Sequence, residues 1–301
     1  MHSPLSVSHG PIRRLLLCSA VWLAAVGPAL GQALVFSNFS TTTGLTLTSS
    51  STKTTTADGS VLRLVSTASN DTGAAFSNAQ FNVTNGFSTS FDFRLSNRTG
   101  SSDGTAVGAD GFVFVIQNVG VSALGASGEG MGFLNIGTAS FGVEFDTFQN
   151  ANRGDPSSNH LGIDTGGSVN SLVTANVTPD FDSDGTGTKW TGWIDYNAAN
   201  SSLEVRVSNT GSRPATANLT YSISPATLQS TLGSTSAFIG FTAATGGATE
   251  NQDIVAWTFT NQYVPGGVTA GLAIPEPGTY ALLALGLGLV WMRRRATTRG
   301  R

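Results

Sequence analysis

The chain has 301 residues, a formal net charge of −3 and 11% charged residues. Seven of its 15 lysines and arginines lie near the two termini, whereas 17 of its 18 acidic residues lie between them, and so acidic a middle segment argues against a nucleic-acid partner. Cys18 is the only cysteine, which excludes a fold stabilised by internal disulfides.

The N-terminus has the residue order of a signal peptide. Arg13 and Arg14 precede an apolar run over residues 15–26, and small residues follow up to Gly31, at the positions that a signal peptidase reads. A buried helix is the alternative, but it explains neither the basic start nor the small residues at the end. We therefore predict a signal peptide over residues 1–31 and a secreted protein that begins near Gln32.

The segment 32–263 has the pattern of an all-β domain. It is rich in Ser, Thr, Gly and Asn, and short runs of alternating apolar residues interrupt it without any long stretch of helical period. Strands are predicted at residues 87–95, 111–116, 140–146, 203–207, 237–241 and 254–259. Their spread over one long segment favours a single two-sheet sandwich or jelly roll.

The strand at 140–146 carries two carboxylates on one face. Because side chains alternate along a strand, Glu144 and Asp146 point together, away from the face of Phe145. Two neighbouring carboxylates repel, so a cation is expected between them. The loop that follows offers Asn150, Asp155 and His160 as further donors. Calcium prefers the oxygen donors, and the imidazole suits manganese or zinc; a solvated strand with an unrelated histidine is the alternative.

The run from Glu144 through Asp164 resembles, without insertion or deletion, the metal loop of the legume (L-type) lectins, concanavalin A among them. The resemblance implies a legume-lectin or concanavalin-like jelly-roll β-sandwich over residues 32–263. It also implies a calcium ion held by Asp146, Asn150, Asp155 and the backbone oxygen of Phe148. A transition ion, usually manganese, would be held by Glu144, Asp146, Asp155 and His160.

Three other stretches resemble the carbohydrate site of the same family. Asp110, in Ala-Asp-Gly, corresponds to the aspartate that accepts hydrogen bonds from sugar hydroxyls and follows a cis peptide bond. Residues 128–133 resemble a glycine-rich loop whose backbone N–H groups contact the sugar, and residues 238–259 resemble the closing strands and specificity loop. The implied carbohydrate-binding residues are Asp110, Gly128, Glu129, Phe148, Asn150 and Gly247. Glu129 and the small pair Gly247-Ala248 depart from the family pattern, which leaves the sugar specificity open.

The C-terminal residues 274–301 have the order of a sorting signal. Pro275-Glu276-Pro277 precedes an apolar stretch over 279–292 and three arginines at 293–295. The stretch is short for a stable transmembrane helix. The order resembles the Pro-Glu-Pro signals that exosortase-type enzymes process in Gram-negative bacteria that secrete exopolysaccharide. It implies transient membrane association, followed by release or attachment at the cell surface or extracellular matrix, and residues 264–273 are predicted to be the linker.

Two other functions are compatible with a β-sandwich. A laminarinase-like glycoside hydrolase needs a second catalytic glutamate after Glu-x-Asp, but Phe148 and Gln149 occupy the two positions where it would stand. A passive matrix or adhesin module would need neither metal nor sugar ligands. The sequence therefore favours a non-enzymatic, metal-dependent carbohydrate-binding protein, and it leaves open whether the protein forms a homo-oligomer.

Overall fold

The computed structural model describes residues 31–104, 107–181 and 187–266. These residues form antiparallel strands and one short α-helix. In chain order the elements are β1 (Ala33–Phe36), β2 (Leu45–Ser49), β3 (Thr52–Thr56), β4 (Gly59–Val65), β5 (Thr72–Ser77), β6 (Phe81–Asn82), β7 (Phe87–Gly100), β8 (Gly111–Gln117), β9 (Ser140–Asp146), β10 (His160–Thr165), β11 (Thr174–Asn176), β12 (Lys189–Asn197), β13 (Ser202–Ser208), β14 (Leu219–Ser222), α1 (Pro225–Leu232), β15 (Ser236–Ala244) and β16 (Ala248–Thr260).

The strands form two sheets. The first sheet has the order β14-β13-β12-β7-β16-β4-β3, with β1 also paired to β16. The second sheet has the order β11-β10-β9-β8-β15-β5-β2, with β6 also paired to β15. Each of the six predicted strands lies within one of these elements, so the predicted all-β sandwich is confirmed.

An aromatic core joins the two sheets. Phe91 of the first sheet meets Phe145 and Phe241 of the second edge to face, with ring centroids 5.4 and 5.0 Å apart. Phe112 stacks on Phe145 at 4.8 Å and meets Phe93 at 5.0 Å. Such pairs are stabilising beyond the area that they bury. Because Phe145 is committed to this core, its neighbours Glu144 and Asp146 must face the other side of the second sheet.

A second hydrophobic cluster covers that other side of the second sheet. Val113 and Val115 of β8 pack there against Met131, Phe133 and Ile136, which belong to the long connection between β8 and β9. The same connection contains a short 3-10 turn, Gly128–Gly130. The cluster therefore fixes this glycine-rich turn on the sheet face that carries the acidic side chains.

The helix α1 was not predicted. Ser224 caps it by accepting a hydrogen bond from the backbone N–H of Thr227 at 3.1 Å, and only Leu228 and Leu232 of its residues are buried. Two apolar residues are too few to produce a helical period in the sequence. In the described part of the chain, no helix meets both the length and the hydropathy of a membrane span; the predicted signal peptide and the apolar stretch at 279–292 lie outside the described residues.

Candidate functional site

Strand register places Asp146 and His160 side by side in one row across the second sheet. Asp146 of β9 lies opposite Gly111 on one side and opposite His160 on the other. Gly111 has φ +109°, and a Cβ atom there would lie 2.2 Å from the carbonyl oxygen of Phe145. Only glycine tolerates that approach. The chain can therefore bring Asp110 close to the end of β9.

Asp146, Asp155 and His160 form a compact cluster of potential metal ligands. One ligand atom from each lies within 4.8 Å of the others. His160 Nε2 is 3.3 Å from Glu144 Oε1 and 3.9 Å from Asp155 Oδ1. His160 and Glu144 are almost completely buried. Carboxylates concentrated around a buried imidazole are a donor set that fits a divalent cation.

The orientation of His160 supports a ligand role. Its Nδ1 atom lies 3.0 Å from the backbone oxygen of Ser157, and since a carbonyl can only accept, Nδ1 carries the proton. In the neutral ring the Nε2 lone pair then faces the carboxylates. Nε2 is buried without a hydrogen-bond partner among the described residues. A metal-binding histidine usually donates one ring N–H to a carbonyl or carboxylate, which leaves the other nitrogen to bind the metal.

Burial and mutual repulsion dominate the electrostatics of this cluster. The pKa of Asp146 is raised well above its ordinary value, first by burial and then by the charges of Glu144 and Asp155. Burial also raises the pKa of Asp155. Both shifts mean that the ionised carboxylates are unfavourable here on their own. A bound cation would offset the unfavourable free energy of burying these ionised carboxylates.

The loop after β9 is fixed by hydrogen bonds to the same carboxylates. The N–H of Phe148 donates to Asp146 Oδ1 at 2.7 Å, and the N–H of Asn150 donates to Asp155 Oδ2 at 2.7 Å. The N–H of Gln149 donates to Asp103 Oδ2 at 2.9 Å. Phe148 and Asn150 are therefore held beside the cluster, as a shared role in metal and ligand binding requires.

Ser171 is a site residue that the sequence did not reveal. Its hydroxyl lies 2.6 Å from Glu144 Oε1 and 2.8 Å from Asp164 Oδ1, within reach of both carboxylates. Asp164 is buried, and burial together with Glu144 raises its pKa well above the ordinary value. Ser171 and Asp164 thus orient Glu144 from behind. Neither position follows from spacing, because the contact joins β10 to the connection after it.

A depression of about 280 Å³ lies next to the cluster. It is lined by all six residues predicted to bind carbohydrate, together with Ser101, Ala109, Gly246 and Ala248. Gly246 was missed, and its small size matters because a Cβ atom there would lie 3.2 Å from Asp110 Oδ2. The N–H of Gly128 is already donated to the carbonyl of Thr245 at 3.0 Å, so this glycine lines the depression without a free donor.

Asp110 is the most perturbed group in the depression. Its residue is 5% exposed, and Oδ2 has no hydrogen-bond partner among the described residues. Burial, and then the negative charge of Glu129, raise its pKa to about 7. The Ala109–Asp110 peptide bond is cis, and the Asp110 backbone N–H donates to the carbonyl of Ala244 at 3.1 Å. Backbone contacts thus fix the position of Asp110 in the wall of the depression.

Glu129 connects the glycine-rich turn to the metal loop. Its Oε1 accepts from Arg153 Nε at 2.9 Å and from Arg153 Nη2, and its Oε2 accepts from Asn152 Nδ2 at 3.1 Å. The hydrogen bond from Asn152 and the contacts with Arg153 lower the pKa of Glu129. The carboxylate therefore stays charged and fixed at the edge of the depression.

The sequence model described as "Legume lectin domain" matches residues 32–269, most of the chain. The chain belongs to the legume lectin family. A second model, the PEP-CTERM protein-sorting motif, matches residues 273–295, which identifies an exported, cell-surface legume lectin domain protein.

Relatives and solved structures agree with this assignment. The L-type lectin-domain containing receptor kinase VII.1 of Arabidopsis thaliana is 32% identical over 193 residues, which cover 58% of this chain and 26% of the kinase. Lectin 11 of Medicago truncatula is 31% identical over 190 residues, covering 58% of this chain and 60% of that lectin. The crystal structure of basic winged bean lectin with Tn-antigen has a TM-score of 0.62 and 27% identity, covering 76% of this chain and 98% of that one.

The length of the match limits what it carries. This legume lectin chain spans about a quarter of the length of the receptor kinases and three fifths of Lectin 11. The agreement therefore identifies the domain and its jelly-roll sandwich. The ligand, metal ions and partners are inferred from the residues of the site.

Proposed function

We propose that this protein is an exported lectin that binds carbohydrate in the depression around Asp110 and depends on a calcium ion and a transition ion, usually manganese. The observation that carries the proposal is the position of this depression directly beside the cluster of Asp146, Asp155 and His160. Phe148 and Asn150 line the depression and donate backbone hydrogen bonds to Asp146 and Asp155 of the cluster. Family membership supports a carbohydrate-binding, non-catalytic protein.

The donor set suggests how two ions would be shared. Calcium would be held by Asp146, Asn150, Asp155 and the backbone oxygen of Phe148, all of them oxygen donors. The transition ion would be held by Glu144, Asp146, Asp155 and His160, which adds a nitrogen donor. When bound, the cations would neutralise the buried carboxylates and keep the loop after β9 in place.

Three side chains of the depression would recognise the sugar. Asp110 would accept hydrogen bonds from sugar hydroxyls, the Asn150 amide would donate one, and the ring of Phe148 would contact an apolar face of the sugar. Small residues at Gly246 and Gly247 leave the site open on one side. A shallow site of this kind binds a single sugar weakly, so many sites acting on a repetitive polysaccharide would supply the avidity.

The sorting motif suggests how the protein is processed and where it acts. We infer that an exosortase-type enzyme of a Gram-negative bacterium processes residues 274–301, after transient membrane association, and that the lectin then contacts the producer's own exopolysaccharide. A strain that lacks the protein should adhere less to that polysaccharide. Equal adhesion of the two strains would refute this role.

Hydrolysis is disfavoured by the surroundings of Glu144. Its carboxylate is almost completely buried and contacts His160 and Ser171, and it does not line the depression. A catalytic carboxylate must reach the scissile bond. A passive adhesin module is disfavoured by the unpaired, buried oxygen of Asp110, which such a module has no reason to keep.

The test combines metal analysis with sugar titration. The purified protein should contain calcium and a transition ion and should lose thermal stability on chelation. His160→Ala should lose chiefly the transition ion and Asp146→Ala both ions, and sugar binding should fall in each variant. As a control, Asp92→Ala changes a carboxylate on the opposite sheet. This substitution should alter neither the metal content nor the sugar binding. A metal-free protein that melts unchanged with chelator would refute the metal-dependent mechanism.

A further inference from the structure

We propose that the depression discriminates against acidic sugars, and that Glu129, fixed by Arg153, sets this discrimination. The inference rests on the proposed carbohydrate function and narrows its ligand to neutral sugars and sugars with a free amino group. It concerns a position at which this chain departs from the family pattern, so the preference would belong to this protein.

The first support is the charge of the lining. Among the described residues that line the depression, the charged ones are Asp110 and Glu129, and both are carboxylates. Asp110 lines the depression, the residue is only 5% exposed, and its Oδ2 has no hydrogen-bond partner among the described residues. A ligand must therefore bring hydrogen-bond donors or positive charge to this oxygen.

The second support is that the arginine beside the site is already engaged. Arg153 directs both Nε and Nη2 at Glu129 Oε1, and Asn152 holds the other oxygen. Arg153 does not line the depression. It thus orders the Glu129 carboxylate at the edge, and its Nε–Nη2 edge, which could otherwise bind a ligand carboxylate in a bidentate way, is engaged with Glu129.

The Asp110 and Glu129 carboxyl groups together should make the affinity of the site depend on the charge of the sugar. A uronic acid would place its carboxylate beside the fixed negative charge of Glu129 and beside the Asp110 carboxyl group, and like-charge placement is an effective way to reject a partner. A hydroxyl at the same position donates to Asp110, and an ammonium group donates and is attracted as well. The order of affinity should therefore be amino sugar at least equal to neutral sugar, and both above uronic acid.

The experiment uses matched sugars that differ in one substituent. The full-length protein, loaded with calcium and manganese, is titrated by calorimetry with galactose, galactosamine and galacturonic acid, and with the corresponding glucose series, at neutral pH. The uronic acid should bind at least fivefold more weakly than its parent sugar. Glu129→Gln should reduce this ratio, and Arg153→Gln should increase it because the Glu129 charge loses its counterion.

The matched control is Glu204→Gln. Glu204 is also a glutamate paired with an arginine, Arg206, at 2.8 Å, but it lies on β13 in the other sheet. Its substitution should leave the ratio unchanged, which separates local repulsion from the effect of net charge. Metal content is measured for every variant, so that a ratio is compared only between equally loaded proteins.

Three results would overturn the inference. Equal affinity for parent sugar and uronic acid in the wild type would refute it while leaving the lectin function intact. An unchanged ratio in both Glu129→Gln and Arg153→Gln would refute the role of Glu129. Failure to bind any neutral or amino sugar would refute the proposed function, and this inference with it.

Discussion

Asp110 has one buried carboxylate oxygen without a hydrogen-bond partner among the described residues, so its proposed contribution to sugar binding can be isolated. Asp110→Asn keeps the size of the side chain and replaces one acceptor with a donor. A hydrogen bond to a charged group contributes about 1.5–3 kcal/mol, so we expect sugar binding to weaken about 10- to 150-fold. Calorimetry with both ions present measures this. Undiminished affinity would remove Asp110 from the recognition of sugar.

Asp146 gives the metal-free protein a defined pH dependence. Its pKa is raised above the ordinary value of 3.8, and a carboxyl group with a higher pKa in the folded state loses stability as pH rises above the unfolded value. In chelator at pH 7, Asp146→Asn should therefore be more stable than the wild type. The difference should disappear below about pH 4.

Adding calcium and manganese should invert this order. On the proposed assignment, the wild type would gain stability from the bound ions, and the variant would lack the carboxylate that both ions would share. Urea unfolding at two pH values, with chelator or with ions, gives all four comparisons. A variant that is less stable than the wild type in chelator at pH 7 would show that the buried charge is not unfavourable.

At the scale of the elements, the start of β8 depends on a glycine. Gly111→Ala would place a Cβ atom 2.2 Å from the carbonyl of Phe145, at φ +109°. Overpacking and a left-handed backbone together should cost about 3 kcal/mol or more. Gly211 also has a positive φ but open space around it, so Gly211→Ala should cost only about 1–2 kcal/mol. Chemical unfolding compares the two, and equal costs would contradict the close contact.

Elements were predictable where one face is apolar. β7 alternates Phe91 and Phe93 with polar residues, and β9 alternates Phe145 with Glu144 and Asp146, so period-two patterning sufficed. β3 consists of four threonines and one lysine and has no such face, because its partner strand β4 rather than its own burial holds it. The helix α1 was not predicted because it too lacks a continuous apolar face, with only Leu228 and Leu232 buried.

The site was predictable where its residues follow one another in sequence. The metal ligands from Glu144 to His160 lie in one run, so their types and order indicated a cation. Ser171, Gly246 and the bond from Arg153 to Glu129 were beyond reach, because each depends on strands or loops that meet only in the folded sandwich. The roles of Asp110 and Gly247 rested on resemblance, and they remain predictions together with the metal ligands.

At the scale of the whole molecule, the C-terminal motif should govern where the protein resides. Replacing Pro275-Glu276-Pro277 with alanines should abolish attachment at the cell surface, because the match to the sorting motif begins at residue 273. Cell fractionation measures this. Pro265→Ala, in the predicted linker, is the matched control and should leave attachment intact. Unchanged attachment after both substitutions would refute the sorting role.

Strand β9 places Phe145 in the aromatic core and Glu144 and Asp146 on its opposite face. This alternation specifies the register in which β9 pairs with its neighbours. A shift of one residue would turn every side chain of β9 to the opposite face. Glu144 and Asp146 would then be forced among Phe91, Phe93 and Phe112, and Phe145 would be expelled. Burying unpaired charges is far costlier than losing one aromatic contact. Glu144 and Asp146 thus disfavour the shifted register and help to specify how β9 pairs with its neighbours.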